Sequence, residues 1–322
     1  MAKTFKTIFP AVSVPLNNDY SIDEAQFRAY LRWIKSFYGK GIEGLVCNGH
    51  TGEITGLRRE ERKRITEICS EECGDVMTII SGVSCENTIG SIEMAKEAKE
   101  AGADGILLMP PHMWLRFGMK ADAPFEYVKD VAEGADIDII IHLYPATTKA
   151  FYPVETLIKM CKEIKHVKAI KMGTRVTSIY EHDVRLLRQE CPNVSLLTCH
   201  DETLCVSWFP GMDGAIIGFA GCVPELICPA WDVFKNPSDH TLKEAQDWSN
   251  RIYPISQAIY GGGQPSGEAH ARLKEVLVQR NVFKSSLMRK PVLPLNQEEK
   301  DWIALGIKHS GLRKVDMRPY LY

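Results

Sequence analysis

No apolar run in this 322-residue chain approaches the roughly 18 residues that a membrane-spanning helix needs. The first residues, MAKTFKTIFPAV, lack the charged-then-apolar layout of a signal peptide, so the expectation is a soluble, cytoplasmic protein. Charge is nearly balanced, with 39 basic against 41 acidic residues. That balance removes any long-range pull toward nucleic acid or an anionic membrane. Neither GxxxxGK[ST] nor GxGxxG occurs, which excludes the common nucleotide-binding loops. HExxH and CxxC are missing as well. The ten cysteines in a chain this long read as reduced thiols used as small apolar residues, not as a disulfide framework. Cys69 and Cys73 sit four apart on one helix with no second pair, so no zinc site is expected. The run Gly261-Gly262-Gly263 follows no strand and reads as a flexible loop.

What the chain does have is rhythm. Eight short apolar runs recur, at 7–16, 42–49, 76–83, 104–111, 136–145, 167–173, 194–200 and 214–221. Each is apolar on both faces, as strands of a buried parallel sheet are. Helix-like stretches rich in Glu, Lys, Arg and Ala lie between them. Ser21-Ile22-Asp23-Glu24 reads as a capping box for the first helix, and Gly102 as the stop of the third. The step between strands is about 30 residues, the size of a βα unit. The expected fold is therefore α/β, a (β/α)8 TIM barrel over 1–235, with C-terminal helices and a tail over 236–322. A doubly wound sheet would have fewer strands and a phosphate loop after the first. The tail RKVDMRPYLY, with Tyr320 and Tyr322, reads either as a mobile end or as a partner contact.

In such a barrel the chemistry sits at the C-terminal ends of the strands. Lys171, in AIKMG, is the sharpest candidate there. Strand alternation puts Val167, Ala169 and Lys171 on one face and Lys168 and Ile170 on the other. An ammonium held against apolar walls loses hydration, its pKa falls, and the neutral amine can attack a carbonyl. The alternative is a lysine that reaches solvent or pairs with a carboxylate. Tyr144 closes the fifth run, where a phenol could move a proton or merely cap the barrel. The turn Gly49-His50-Thr51-Gly52 could hold a carboxylate on its N–H groups and the Thr51 hydroxyl, or be an ordinary βα turn. Glu53 reads as structural. His200, with Asp201 and Glu202, reads as a metal or acid/base group or as a hydrogen-bonded rim cluster.

Together these positions resemble the dihydrodipicolinate synthase / N-acetylneuraminate lyase family. The likeness runs from FPAVSVPL through GAIIGFAG to the KPVLPL segment. The family's GTTGE-like turn is matched by Gly49-His50-Thr51-Gly52-Glu53, its tyrosine by Tyr144 and its Schiff-base lysine by Lys171. The resemblance implies a class I aldolase or lyase that binds pyruvate or another 2-oxo acid, with an aldehyde as second partner. It implies no cofactor beyond the covalent lysine imine, no metal, and a homotetramer or dimer. Lys171 would be the nucleophile, Tyr144 the acid/base group, and Thr51 with His50 and Gly52 the carboxylate site. Lys149, His200 and Ile216 would line the distal pocket. The chain also departs from the family pattern. His50 replaces the first threonine of the turn, and His112-Met113-Trp114 stands where a second relay tyrosine is expected. Lys149 replaces an arginine, Pro145-Ala146-Thr147 replaces Asn-x-Pro, and Cys199 replaces a glycine. These changes point away from authentic dihydrodipicolinate synthesis. They leave a hydratase-aldolase, with Trp114 and His200 as the resemblance, or a deoxy sugar-acid dehydratase. A barrel that binds a 2-oxo acid without turnover is the non-enzymatic alternative. The loop PPHMWLRFG is expected to meet a neighbouring subunit through Met113 and Trp114.

Overall fold

The computed structural model describes residues 3–261 and 266–321. Its eight strands are β1 (Thr7–Pro10), β2 (Gly44–Cys47), β3 (Thr78–Val83) and β4 (Gly105–Leu108), then β5 (Asp138–Leu143), β6 (Val167–Met172), β7 (Ser195–Thr198) and β8 (Gly214–Ile217). Each lies inside one of the apolar runs, and all pair in parallel in the order β1-β8-β7-β6-β5-β4-β3-β2. The bridges Ile8–Ile42 and Ala11–Val46 join β1 to β2 and close the barrel. The first strand is much shorter than its run. Pro10 and Pro15 lack the N–H that a ladder needs, and past Pro10 the buried run keeps only isolated bridges, Ala11 to Val46 and Leu16 to Ile22.

Alternation sorts the strand side chains into two shells. Phe9, Val46, Ile80, Leu107, Ile140, Ala169, Leu197 and Ile216, one from each strand, meet inside the barrel. Their neighbours, such as Leu45, Ile79, Ile106, Ile170, Leu196 and Ala215, face outward into the helical layer. One register shift breaks the pattern. Ile139 pairs with Val167 but Ile140 with Ala169, so Lys168 is bulged out. Val167 consequently packs in the outer shell, not on the face of Ala169 and Lys171 as expected. Lys168 turns to the surface and bonds the Lys165 carbonyl.

The first helix, Glu24–Lys35, is capped by Asp23, whose carboxylate accepts from Gln26 N at 3.0 Å. Ser21 is not the cap; its hydroxyl donates to Asp19. Gly102, at φ 94°, follows the helix Thr88–Glu100 as expected. Gly261, at φ 55°, ends the helix Leu242–Tyr260; Gly262 and Gly263 lie outside the described residues. After the barrel the helices Leu242–Tyr260, Gly267–Gln279 and Gln297–His309 pack together. The tail is held rather than free: Val315 N bonds Arg280 O, and Arg32 reaches Tyr320 O at 3.2 Å. Tyr322 lies outside the described residues. Among those residues all ten cysteines are unpaired, and no helix is long and apolar enough to cross a membrane.

Candidate active site

The inner ring locates the site. Two residues beyond Ile140, Ala169, Leu197 and Ile216, alternation points His142, Lys171, Cys199 and Gly218 into the barrel mouth. All four line one cavity of about 340 Å³. Strand pairing sets His142 directly beside Lys171. Gly173 lets β6 end against β5: a Cβ there would fall 2.0 Å from the Leu143 carbonyl oxygen. Gly218 keeps room beside Thr51, since a Cβ there would meet its hydroxyl at 2.9 Å.

The turn after β2 supplies His50 and Thr51 to the same wall. Gly52 N and Ile54 N both close on the Gly49 carbonyl, and Glu53 N on the His50 carbonyl. Among the described residues the Thr51 N–H and hydroxyl have no intramolecular partner, which leaves two donors at the cavity wall. Glu53, at φ 60°, turns away from the cavity to the buried Lys274 and to Arg289 N. That confirms its reading as structural. Gly52 shapes the turn and is not part of the wall: a Cβ would sit 3.1 Å from the Val12 carbonyl.

Lys171 stands at the mouth with burial as the dominant influence, which pushes its pKa below the usual lysine range. Cys199 and Asp201 oppose that shift and Arg175 adds to it. Tyr144 Oη lies 3.1 Å from His50 Nε2 and 3.1 Å from His112 Nε2. Burial raises the phenol pKa, so it stays protonated at rest. Burial, then the Lys171 charge, lowers His50 to about 3 and His270 to about 4. Both imidazoles are therefore neutral beside the lysine. Burial lifts Asp201 to about 6, against the Phe219 N–H that donates to its Oδ1 at 2.8 Å. The mouth thus combines a desolvated amine, a phenol, neutral imidazoles and free N–H and O–H donors.

Of the residues expected from sequence, Lys171, Tyr144, His50, Thr51 and Ile216 meet in this cavity. Lys149 does not: it is exposed and bonds the Arg116 carbonyl at 3.3 Å. His200 is also elsewhere. The 3-10 turn Asp201–Thr203 directs Asp201 into the cavity and His200 outward against Tyr180, at 4.6 Å between rings. His200 lines a neighbouring pocket of about 220 Å³ instead. Trp114 packs inward on Tyr127 and Tyr152, while Met113, Leu115 and Phe117 are exposed. Sequence reasoning missed Arg175, Tyr260, Ser266 and His270. Arg175, four residues past Lys171, was within reach of the strand-end rule. Tyr260 and His270 come from the appended helices, and no local pattern shows that those helices cover the mouth. Among the described residues no three His, Cys, Asp or Glu side chains gather as a metal site.

The family model for the dihydrodipicolinate synthetase family matches residues 4–310. The chain belongs to that family. Among curated relatives, the 4-hydroxy-tetrahydrodipicolinate synthase of Bartonella bacilliformis is 26% identical, over 96% of this chain and 99% of its own. An uncharacterised DapA-like lyase of Pyrococcus horikoshii is 30% identical, over 90% of this chain and 95% of its own. Two solved structures share the fold. YagE, a prophage protein of the dihydrodipicolinic acid synthase family from E. coli K12, was solved in complex with pyruvate. It superposes with a TM-score of 0.85 at 20% identity, covering 96% of this chain and 99% of that one. The N-acetylneuraminate lyase of Fusobacterium nucleatum gives 0.80 at 21%, covering 94% and 98%. This family member is a lyase of the class I aldolase type.

Proposed function

We propose that this lyase forms an imine between Lys171 and pyruvate or a related 2-oxo acid, and makes or breaks a bond to an aldehyde-derived partner. One observation carries the reading: a desolvated lysine, a protonated tyrosine and the unpartnered donors of Thr51 share a single cavity. Desolvation supplies the neutral amine that attacks the 2-oxo carbon. The protonated imine then draws electrons from the adjacent carbon, so bond cleavage leaves an enamine instead of a bare carbanion. Thr51 N–H and Oγ1 hold the carboxylate of the 2-oxo acid, and Tyr144 moves the proton of the reacting hydroxyl. No cofactor is needed beyond the lysine itself. The relatives named 4-hydroxy-tetrahydrodipicolinate synthase and the neighbour solved with pyruvate support pyruvate as the first substrate. The second substrate differs from theirs in this reading. Lys149 lies outside the cavity, and the far wall is built from Arg175, Asp201, Tyr260 and His270.

Borohydride reduction of the imine measures the first half of this scheme. Inactivation should saturate with pyruvate concentration. In Thr51→Val the half-saturating concentration should rise about tenfold to a hundredfold, the value of hydrogen bonds to a charged group. The maximal extent of trapping should stay the same. An unchanged half-saturation point would remove Thr51 from the carboxylate site. Product analysis then separates aldolase from dehydratase chemistry, since only the aldolase releases an aldehyde.

A further inference from the structure

An unpartnered imidazole lies next to the candidate nucleophile. His142 on β5 and Lys171 on β6 are paired residues of adjacent parallel strands, and both follow the inward alternation into the mouth. Paired residues on neighbouring strands stand about 5 Å apart, so the ring flanks the lysine stem. His142 is 7% exposed, and its Nδ1 is buried with no hydrogen-bond partner among the described residues. The strand before it, Ile139-Ile140-Ile141, is wholly aliphatic. An unpaired imidazole there costs stability that another aliphatic side chain would not. The ring is therefore held ready for a group that enters the cavity. Other polar groups of the mouth are already engaged. Tyr144 Oη has His50 and His112 at 3.1 Å, Asp201 Oδ1 accepts from Phe219 N, and Arg175 is held by Glu202 and by the carbonyls of Gly173 and Cys199. His270 comes from an appended helix and shares no strand pair with Lys171. Burial first, then the charge of Lys171, keeps the pKa of His142 well below the ordinary histidine value. The ring is thus neutral near pH 7 and offers one N–H and one lone pair.

We propose that His142 is a catalytic residue of imine formation, carrying a proton from the Lys171 nitrogen to the departing oxygen of the 2-oxo acid. The role rests on the lysine–imine reading above. As the amine attacks C2, the N–C bond forms and the carbonyl π pair moves to oxygen. One proton of the new ammonium passes to the bare nitrogen of His142 and from there to the alkoxide, which leaves a neutral carbinolamine. The nitrogen lone pair then forms C=N as the C–O bond breaks. The oxygen leaves as hydroxide and takes a proton from solvent to become water. The protonated imine keeps one hydrogen on nitrogen, and His142 ends neutral. Direct transfer between the nitrogen and oxygen of one carbinolamine would need a strained four-membered arrangement, which a neighbouring imidazole avoids. The alkoxide formed in the attack offsets the positive field that otherwise keeps a proton off the ring. Hydrolysis of the imine runs the same path backwards, so product release depends on the same ring.

Rapid mixing of the protein with pyruvate, followed by borohydride quenching at set times, reads the rate of imine formation separately from its final extent. A group that only moves a proton changes the rate in both directions and leaves the equilibrium where it was. His142→Gln keeps a hydrogen-bonding side chain, and His142→Leu fills the place with an aliphatic one. Each should form the imine about a hundredfold more slowly than wild type. Their final extents and half-saturating pyruvate concentrations should match wild type, and thermal melts establish that both fold. A wild-type rate in either variant would overturn the inference. So would a loss of final extent in both folded variants, which would make His142 a support for Lys171 and not a carrier of protons. Wild-type protein that never traps pyruvate would instead overturn the imine reading, and this inference with it.

Discussion

Lys171→Arg should leave the barrel folded and abolish imine formation with pyruvate, a loss of at least about 10⁴-fold in any turnover that passes through the imine. The guanidinium keeps the positive charge but cannot be deprotonated in a protein, so it offers no nucleophile. The companion variant Lys171→Met removes the charge as well and should fail equally. If arginine kept turnover but methionine did not, charge and not nucleophilicity would be the function of this position. A thermal melt of each variant establishes folding. The desolvated amine also sets a sign for pH dependence. Burial holds its pKa below the ordinary lysine value of 10.5. The neutral, reactive fraction therefore grows as pH rises and is complete at a lower pH than for an exposed lysine. Trapping rates should rise with pH and level off below that value. A rate still climbing through it would mean that Lys171 is not desolvated.

The second large effect concerns stability. Lys274 is fully buried, and it donates to Glu53 and to the Leu287 carbonyl. Glu53 is also buried and accepts from Arg289 N with its other oxygen. Lys274→Met would leave the Glu53 carboxylate in the interior without its cation. The expected cost is about 3–5 kcal/mol, which for a domain of this size lowers Tm by on the order of 10 °C. Because Glu53 ends the turn that presents His50 and Thr51, half-saturation with pyruvate should suffer too. The double variant Lys274→Met/Glu53→Leu should recover much of the lost stability, since no unpaired charge then remains. A single variant with the wild-type Tm would show that the pair does not hold the turn.

The barrel was legible because its strands are buried on both faces, and such strands read as short continuous apolar runs. Lys171 was legible for the same reason: a lysine two residues past Ala169 has nowhere to point but the barrel mouth. Other features depend on geometry that periodicity does not carry. The bulge at Lys168 reverses Val167, and nothing in VKAIKM announces it. His200 and Asp201 are adjacent, and only the 3-10 turn decides which one faces the cavity. Lys149 stands at the family's arginine position, but its side chain follows the surface to the Arg116 carbonyl. His112 was visible as a departure from the family pattern. Its contact with Tyr144 required the folded mouth, where the turns after β2, β4 and β5 converge.

Imine formation at Lys171 can be read directly from the modified peptide. The intact protein is reduced with borohydride in the presence of pyruvate, digested, and its peptides mapped by mass. A single reduced pyruvyl adduct on the peptide containing Lys171 is the predicted result. A folded protein that takes no label, or carries it on another lysine such as Lys149 or Lys168, would exclude Lys171 as the imine-forming residue.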